Sequence, residues 1–136
     1  MTDLDSVLAG DGFARLCRET AERHRIDAEG LPCDGRPPCG PPTVAEVAAV
    51  VRWMLLGREA PRGRILSSYG AKHVAEDWNA ALGFLDYVPN GAAIVAAALL
   101  DQNWKPERGP NCKWRRLRDP ESAFMWLRHQ IVGSCT

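Results

Sequence analysis

Asn90-Gly-Ala-Ala-Ile-Val-Ala-Ala-Ala-Leu-Leu100 is apolar on every side beyond its first residue. A helix at a protein surface keeps one polar face, so a run without one predicts a helix buried all round, at the centre of the fold. Its alanines let neighbouring helices come close. Asn90 is placed as its N-cap. The longest unbroken apolar run, Ala92 to Leu100, is about half of what a bilayer-spanning helix needs.

Just upstream, the residues from Ser67 to about Trp78 read as a second helix, capped by Ser67 or Ser68. Ala71, Val74, Ala75 and Trp78 fall on an inner stripe, and Tyr69, Lys72, His73 and Glu76 on the stripe beside it. Downstream, Trp104-Lys105 and Cys112-Lys-Trp114-Arg alternate apolar and basic residues across a Pro-Glu-Arg-Gly-Pro-Asn turn, which predicts a β-hairpin. Residues 67–116 thus form a helix–helix–hairpin unit.

Further out, residues 3–25 read as helical, with Asp11 as N-cap and Phe13, Leu16, Cys17, Ala21 and His24 on one face. A short turn around Leu4, Val7 and Leu8 is broken from it by Gly10 and Gly12. Residues 30–42 hold five prolines and three glycines and are a surface loop. Thr43 with Glu46 is a capping box, opening a helix with Val44, Val47, Val51 and Leu55 on one stripe, widened by Trp53 and Met54, that stops at Gly57. A basic connector, Arg58 to Arg64, leads on to Ile65 and Leu66. Asp119-Pro120 starts a last helix with Phe124, Leu127 and Ile131 inward, ending at Gly133. With no internal repeat, the expectation is a single domain over residues 1–136. It is mainly α, about five helices around the buried alanine-rich helix, with one small β-hairpin near the C-terminus.

Hydrophobic residues make up 46% of the chain and charged residues 25%, values of a globular protein. The formal net charge is zero, which argues against a general nucleic-acid coat. Charge is nevertheless uneven. Lys105, Arg108, Lys113, Arg115, Arg116 and Arg118 crowd residues 105–118 against the single acid Glu107. The start, Met1-Thr-Asp-Leu-Asp, lacks a secretory pattern, and the five cysteines are an odd number, poorly suited to a disulfide framework. These features lead us to expect a cytoplasmic protein with reduced thiols, not associated with a membrane.

Three chemical readings compete. Zinc would draw on His24, Cys33 and Cys39, but five residues between the cysteines exceed the usual two to four, so no metal or cofactor is assigned. A Cys112–His73 nucleophile, oriented by Glu76 or Asp77, needs a stabilised thiolate, whereas Cys112 alternates with basic residues as a core-facing strand residue would. No catalytic residue is assigned. A winged-helix reading would put the alanine-rich helix after Asn90 into the major groove, yet Gly91 to Leu100 offers no polar side chain to a base edge.

The run Ser68-Tyr-Gly-Ala-Lys-His-Val-Ala-Glu, followed by Tyr87-Val-Pro-Asn-Gly-Ala-Ala-Ile-Val and then Gly109-Pro-Asn-Cys, resembles a group of small, mostly uncharacterised proteins of phages, plasmids and other mobile elements. Those show Ser-Tyr-x-Leu-Lys-His, Tyr-Val-Ser-Asn-Gly and a late Pro-Asn. This chain departs from the pattern at Ala71 and Pro89, and the resemblance covers about residues 67–114. It implies a mobile-element origin and carries over no catalytic residue. The function expected is non-enzymatic binding of a host protein or nucleoprotein complex, with anti-CRISPR-like inhibition of a defence nucleoprotein as its specific form. A small nucleic-acid-binding regulator and a thiol- or zinc-dependent enzyme are the alternatives. The residues expected to bind the partner, through protein contacts or nucleic-acid phosphates, are Tyr69, Lys72, His73 and Glu76 with Trp104, Lys105, Arg108, Lys113, Trp114, Arg115 and Arg116.

Overall fold

The computed structural model describes residues 3–57, 65–85, 87–100, 104–115 and 119–134. Its helices are α1 (Leu4–Leu8), α2 (Asp11–His24), α3 (Val44–Leu56), α4 (Ser68–Ala81), α5 (Asn90–Leu100) and α6 (Pro120–Ser134). Its strands are β1 (Ile65–Ser67), β2 (Lys105–Pro106) and β3 (Cys112–Arg115).

Helix α5 is the hub. It packs against α2, α3, α4 and α6, and Ile94, Val95 and Leu99 are fully buried. Its alanines allow this close approach from several sides, and the Gln130 side chain donates to the Leu99 carbonyl at 2.9 Å, tying α6 to the end of α5. The second core helix, α3, begins with the full capping box: Glu46 N–H donates to Thr43 Oγ1 at 3.2 Å and Thr43 N–H to Glu46 Oε1 at 2.8 Å. Trp53, Val50 and Val51 lie fully inside. Phe13, Leu16 and Cys17 of α2, with Phe124 and Leu127 of α6, belong to the same core.

The strands make a three-stranded antiparallel sheet ordered β1-β3-β2. Ser67 and Lys105 both pair with Lys113, from opposite sides. The hairpin expected from the sequence is therefore flanked by a third strand. Three residues are too short to display a two-residue period, so β1 is recognisable only by its partner.

Other local readings change as well. The Leu4–Leu8 turn is a helix, so the described residues hold six helices. Gly10, not Asp11, is the N-cap of α2, and Gly133 lies inside α6. Neither serine caps α4 with its side chain; Ser68 is buried and its Oγ accepts the Cys112 N–H at 3.0 Å. Asn90 is the first residue of α5, and its side chain is engaged elsewhere. None of the described helices is long and apolar enough to cross a membrane.

A cleft where four segments meet

Helix α4 carries Tyr69, Lys72, His73 and Glu76 at three- and four-residue spacing, which places them on one side of the helix. The Lys72 ammonium donates to Glu76 Oε1 at 3.1 Å and to the Val88 carbonyl at 3.3 Å, while the Val88 N–H donates to Glu76 Oε1 at 3.3 Å. One ion pair on α4 thus grips both backbone groups of Val88. The side chains of Lys72 and Glu76 are only 13% and 18% exposed, so the pair is largely shielded from solvent. With Val88 held, its neighbours Tyr87 and Pro89 are set against α4.

The result is an aromatic bracket. Lys72 Nζ lies 5.6 Å from the Tyr69 ring centre and 5.5 Å from that of Tyr87, both within cation–π reach. Both tyrosines are more than half exposed, at 56% and 59%. His73 stands edge-on to Tyr69, with ring centres 4.8 Å apart, and its Nδ1 lies 3.5 Å from Glu76 Oε2.

Below the bracket is a cleft of about 360 Å³, lined by Ala28, Glu29, Tyr69, Lys72, Tyr87, Pro89, Asn90, Pro110 and Asn111. Asn90 is its keystone. Its Nδ2 shares two N–H groups among three acceptors, the Glu29 carbonyl at 3.1 Å, the Pro110 carbonyl at 3.2 Å and Asn111 Oδ1 at 3.0 Å. Two of these acceptors are backbone carbonyls, which cannot be turned into donors, so the amide orientation is dictated. Backbone bonds reinforce the junction: Gly91 N–H donates to the Ala28 carbonyl at 2.9 Å, and Leu31 N–H to the Pro110 carbonyl at 2.9 Å.

The 27–31 turn that receives these bonds is shaped by Asp27, which is buried. Its Oδ1 accepts the N–H of Glu29 at 2.9 Å and of Gly30 at 3.1 Å, and its Oδ2 accepts that of Cys39 at 3.2 Å. Arg36 Nη1 lies 2.9 Å from both carboxylate oxygens, and Nη2 donates to the Leu31 carbonyl at 2.6 Å. Burial pushes the Asp27 carboxyl up, but the Arg36 guanidinium and the backbone donors outweigh it and hold the group below its ordinary value. The proline-rich loop is therefore pinned to the turn that walls the cleft.

The expected partner-binding residues separate in the structure. Tyr69, Lys72, His73 and Glu76 gather at the cleft. Lys105, Arg108 and Lys113 are exposed on and beside the sheet. Trp104 is half-buried, with its ring 5.0 Å from that of His24 and perpendicular to it. Trp114 is 2% exposed and belongs to the core, because the in–out alternation of β3 turns Cys112 and Trp114 inward and Lys113 outward. It cannot serve as a contact for a partner. The side chain of Arg115, and Arg116 entirely, lie outside the described residues.

The Cys112 thiol is fully buried and pushed up to about 12 by desolvation, the opposite of the surroundings that stabilise a nucleophilic thiolate. Among the described residues no three His, Cys, Asp or Glu side chains are grouped as metal ligands would be. A groove-reading α5 is excluded by its burial.

Ala28, Glu29, Tyr87, Pro89, Asn90, Pro110 and Asn111 are the cleft residues absent from the sequence-derived site. All of these but Ala28 and Glu29 fall within residues 67–114, the span of the three sequence runs quoted above. Comparison with family models, curated proteins and solved structures found no match to this chain.

Proposed function

We propose that this chain is a non-enzymatic interaction protein of the phage or mobile-element kind, which binds an acidic protein surface on a host macromolecular complex through the Tyr69–Tyr87 cleft. The observation that carries this reading is the pair of exposed tyrosines held in place around Lys72. Tyrosine offers a large, amphipathic contact with few torsions to freeze, and buried aromatic anchors commonly dominate binding energy. Pinning Val88 between Lys72 and Glu76 pre-orders the ring of Tyr87, which lowers the entropy cost of association. Exposed Lys105, Arg108 and Lys113 add positive charge on the nearby sheet and favour an acidic partner. Inhibition of a defence nucleoprotein in the manner of anti-CRISPR proteins is the form to test first.

A Tyr69→Ala/Tyr87→Ala double variant should fold normally, since both rings are largely in solvent. Affinity purification from a host lysate at physiological salt should recover a protein complex with the wild type and lose it with this variant. Retention of the complex by the folded double variant would refute the reading.

A second reading rests on Lys105 and Lys113, exposed residues that face each other across β2 and β3. Adjacent like charges cost stability unless an anion neutralises them, which suits phosphate. Affinity for single-stranded nucleic acid that falls steeply with salt, and falls further in Lys105→Gln/Lys113→Gln, would favour it.

A further inference from the structure

A second cavity, of about 530 Å³, lies between the C-terminal half of α2 and the proline-rich loop, and shares no lining residue with the cleft. Its volume is within the range of small-molecule pockets. Ala21, Ile26, Pro32, Pro38 and Pro41 give it apolar walls, while Arg18, Arg25 and Arg36 bring three guanidinium groups to it.

These cations are not equivalent. Arg36 is committed to Asp27, although its Nε–H is buried and meets no acceptor among the described residues. Arg18 and Arg25 make no ion pair or side-chain hydrogen bond among the described residues. Glu22, between them on the same side of α2, is the remaining carboxylate of the lining once Asp27 is paired. Two free guanidinium groups against one acid leave a surplus of one positive charge.

Arg25 also has an unusual backbone. It ends α2 with φ 57° and ψ 40°, and among the described residues it is the non-glycine residue with positive φ. Its N–H donates to the Glu22 carbonyl at 3.2 Å, and the Ile26 N–H donates to the Ala21 carbonyl at 2.8 Å, the bonding pattern of a helix end that ordinarily takes glycine. A long cationic side chain kept at such a position, facing a cavity, points to a role that backbone preference does not explain.

We propose that this cavity binds a monoanionic amphiphile, a carboxylate on an apolar body, with Arg18 and Arg25 holding the carboxylate and the proline-rich walls covering the apolar part. Arginine suits this task because its planar fork matches a carboxylate bidentately. The charge surplus of one favours a carboxylate over a dianionic phosphate ester. Since the walls come from the loop that Asp27 and Arg36 pin, occupancy should stiffen that loop.

Calorimetric titration of the full chain with octanoate, acetate and octan-1-ol tests the proposal. Octanoate should bind at least about tenfold more tightly than either of the others, as expected when a charge-assisted hydrogen bond and apolar burial both contribute. It should also slow alkylation of Cys33, which lines the cavity. Arg25→Gly gives the decisive variant, because glycine suits the backbone there. Its melting temperature should hold or rise while octanoate affinity falls about tenfold. Equal binding of octanol, unchanged Cys33 alkylation, or full affinity in folded Arg25→Gly would each overturn the proposal. None of these outcomes bears on the Tyr69–Tyr87 cleft.

Discussion

Asn90 Nδ2 donates to Asn111 Oδ1 at 3.0 Å, joining the first turn of α5 to the residue that enters β3. The same nitrogen reaches the carbonyls of Glu29 and Pro110, so one amide closes a ring of three chain segments. Asn90→Ala should cost about 2 kcal/mol, because it takes the donor from the Glu29 carbonyl and Asn111 Oδ1, while the Pro110 carbonyl keeps the Leu31 N–H. Asn90→Asp should be worse, since a carboxylate can donate nothing and faces three oxygens. Urea denaturation of both variants measures this. An Asp variant as stable as the wild type would show that the amide does not hold the junction.

Gly91 and Gly70 should respond in opposite directions to alanine. A methyl group at Gly91 would overlap the Asp27 carbonyl, a backbone atom that cannot swing away. One at Gly70, within α4, meets nothing within 4 Å. Gly70→Ala is therefore expected to stabilise by about 0.5–1 kcal/mol through helix propensity, and Gly91→Ala to destabilise by more than that. Thermal melts of the two variants give the comparison.

Thiol reactivity should divide the described cysteines into two classes. Burial pushes both Cys17 and Cys112 up to about 12, whereas Cys39 is exposed and Cys33 half-buried. Alkylation of the native protein at pH 8, followed by peptide mass mapping, should label Cys33 and Cys39 within minutes and leave the other two until denaturant is added. Rapid native labelling of Cys112 would contradict its place in the core.

Acid should loosen the 27–31 turn before it melts the helices. The Asp27 carboxyl is held below its ordinary value in the folded chain, so its contribution is complete above the unfolded value of about 4. It is lost as pH falls from there through the folded value. Asp27→Asn should accordingly show a shallower fall in melting temperature below pH 4 than the wild type. Parallel curves would mean that the Asp27–Arg36 pair adds nothing to stability.

The helical skeleton was legible in the chain because its signals are local. The apolar run after Asn90, the Thr43–Glu46 capping box and the inner stripe of α4 each sit within a few residues of what they specify. Uniform burial of α5 follows from composition alone, since no polar face exists to turn outward. Alternation along Cys112 to Arg115 likewise announced a strand. It also held the fact that Trp114 points inward with Cys112, which the count of basic residues around it obscured.

What only the tertiary structure decided is the cleft, and with it which polar residues act together. Ala28 and Glu29, Tyr69 and Lys72, Tyr87 to Asn90, and Pro110 with Asn111 are far apart along the chain. They meet because Asp27 folds a turn that Arg36 locks, and because glycines at 30 and 91 let Pro110 and that turn approach more closely than any side chain would permit. Periodicity records which face of an element is apolar. It carries no trace of which distant carbonyl an asparagine will find, because that contact exists only once the buried helices have set the distance.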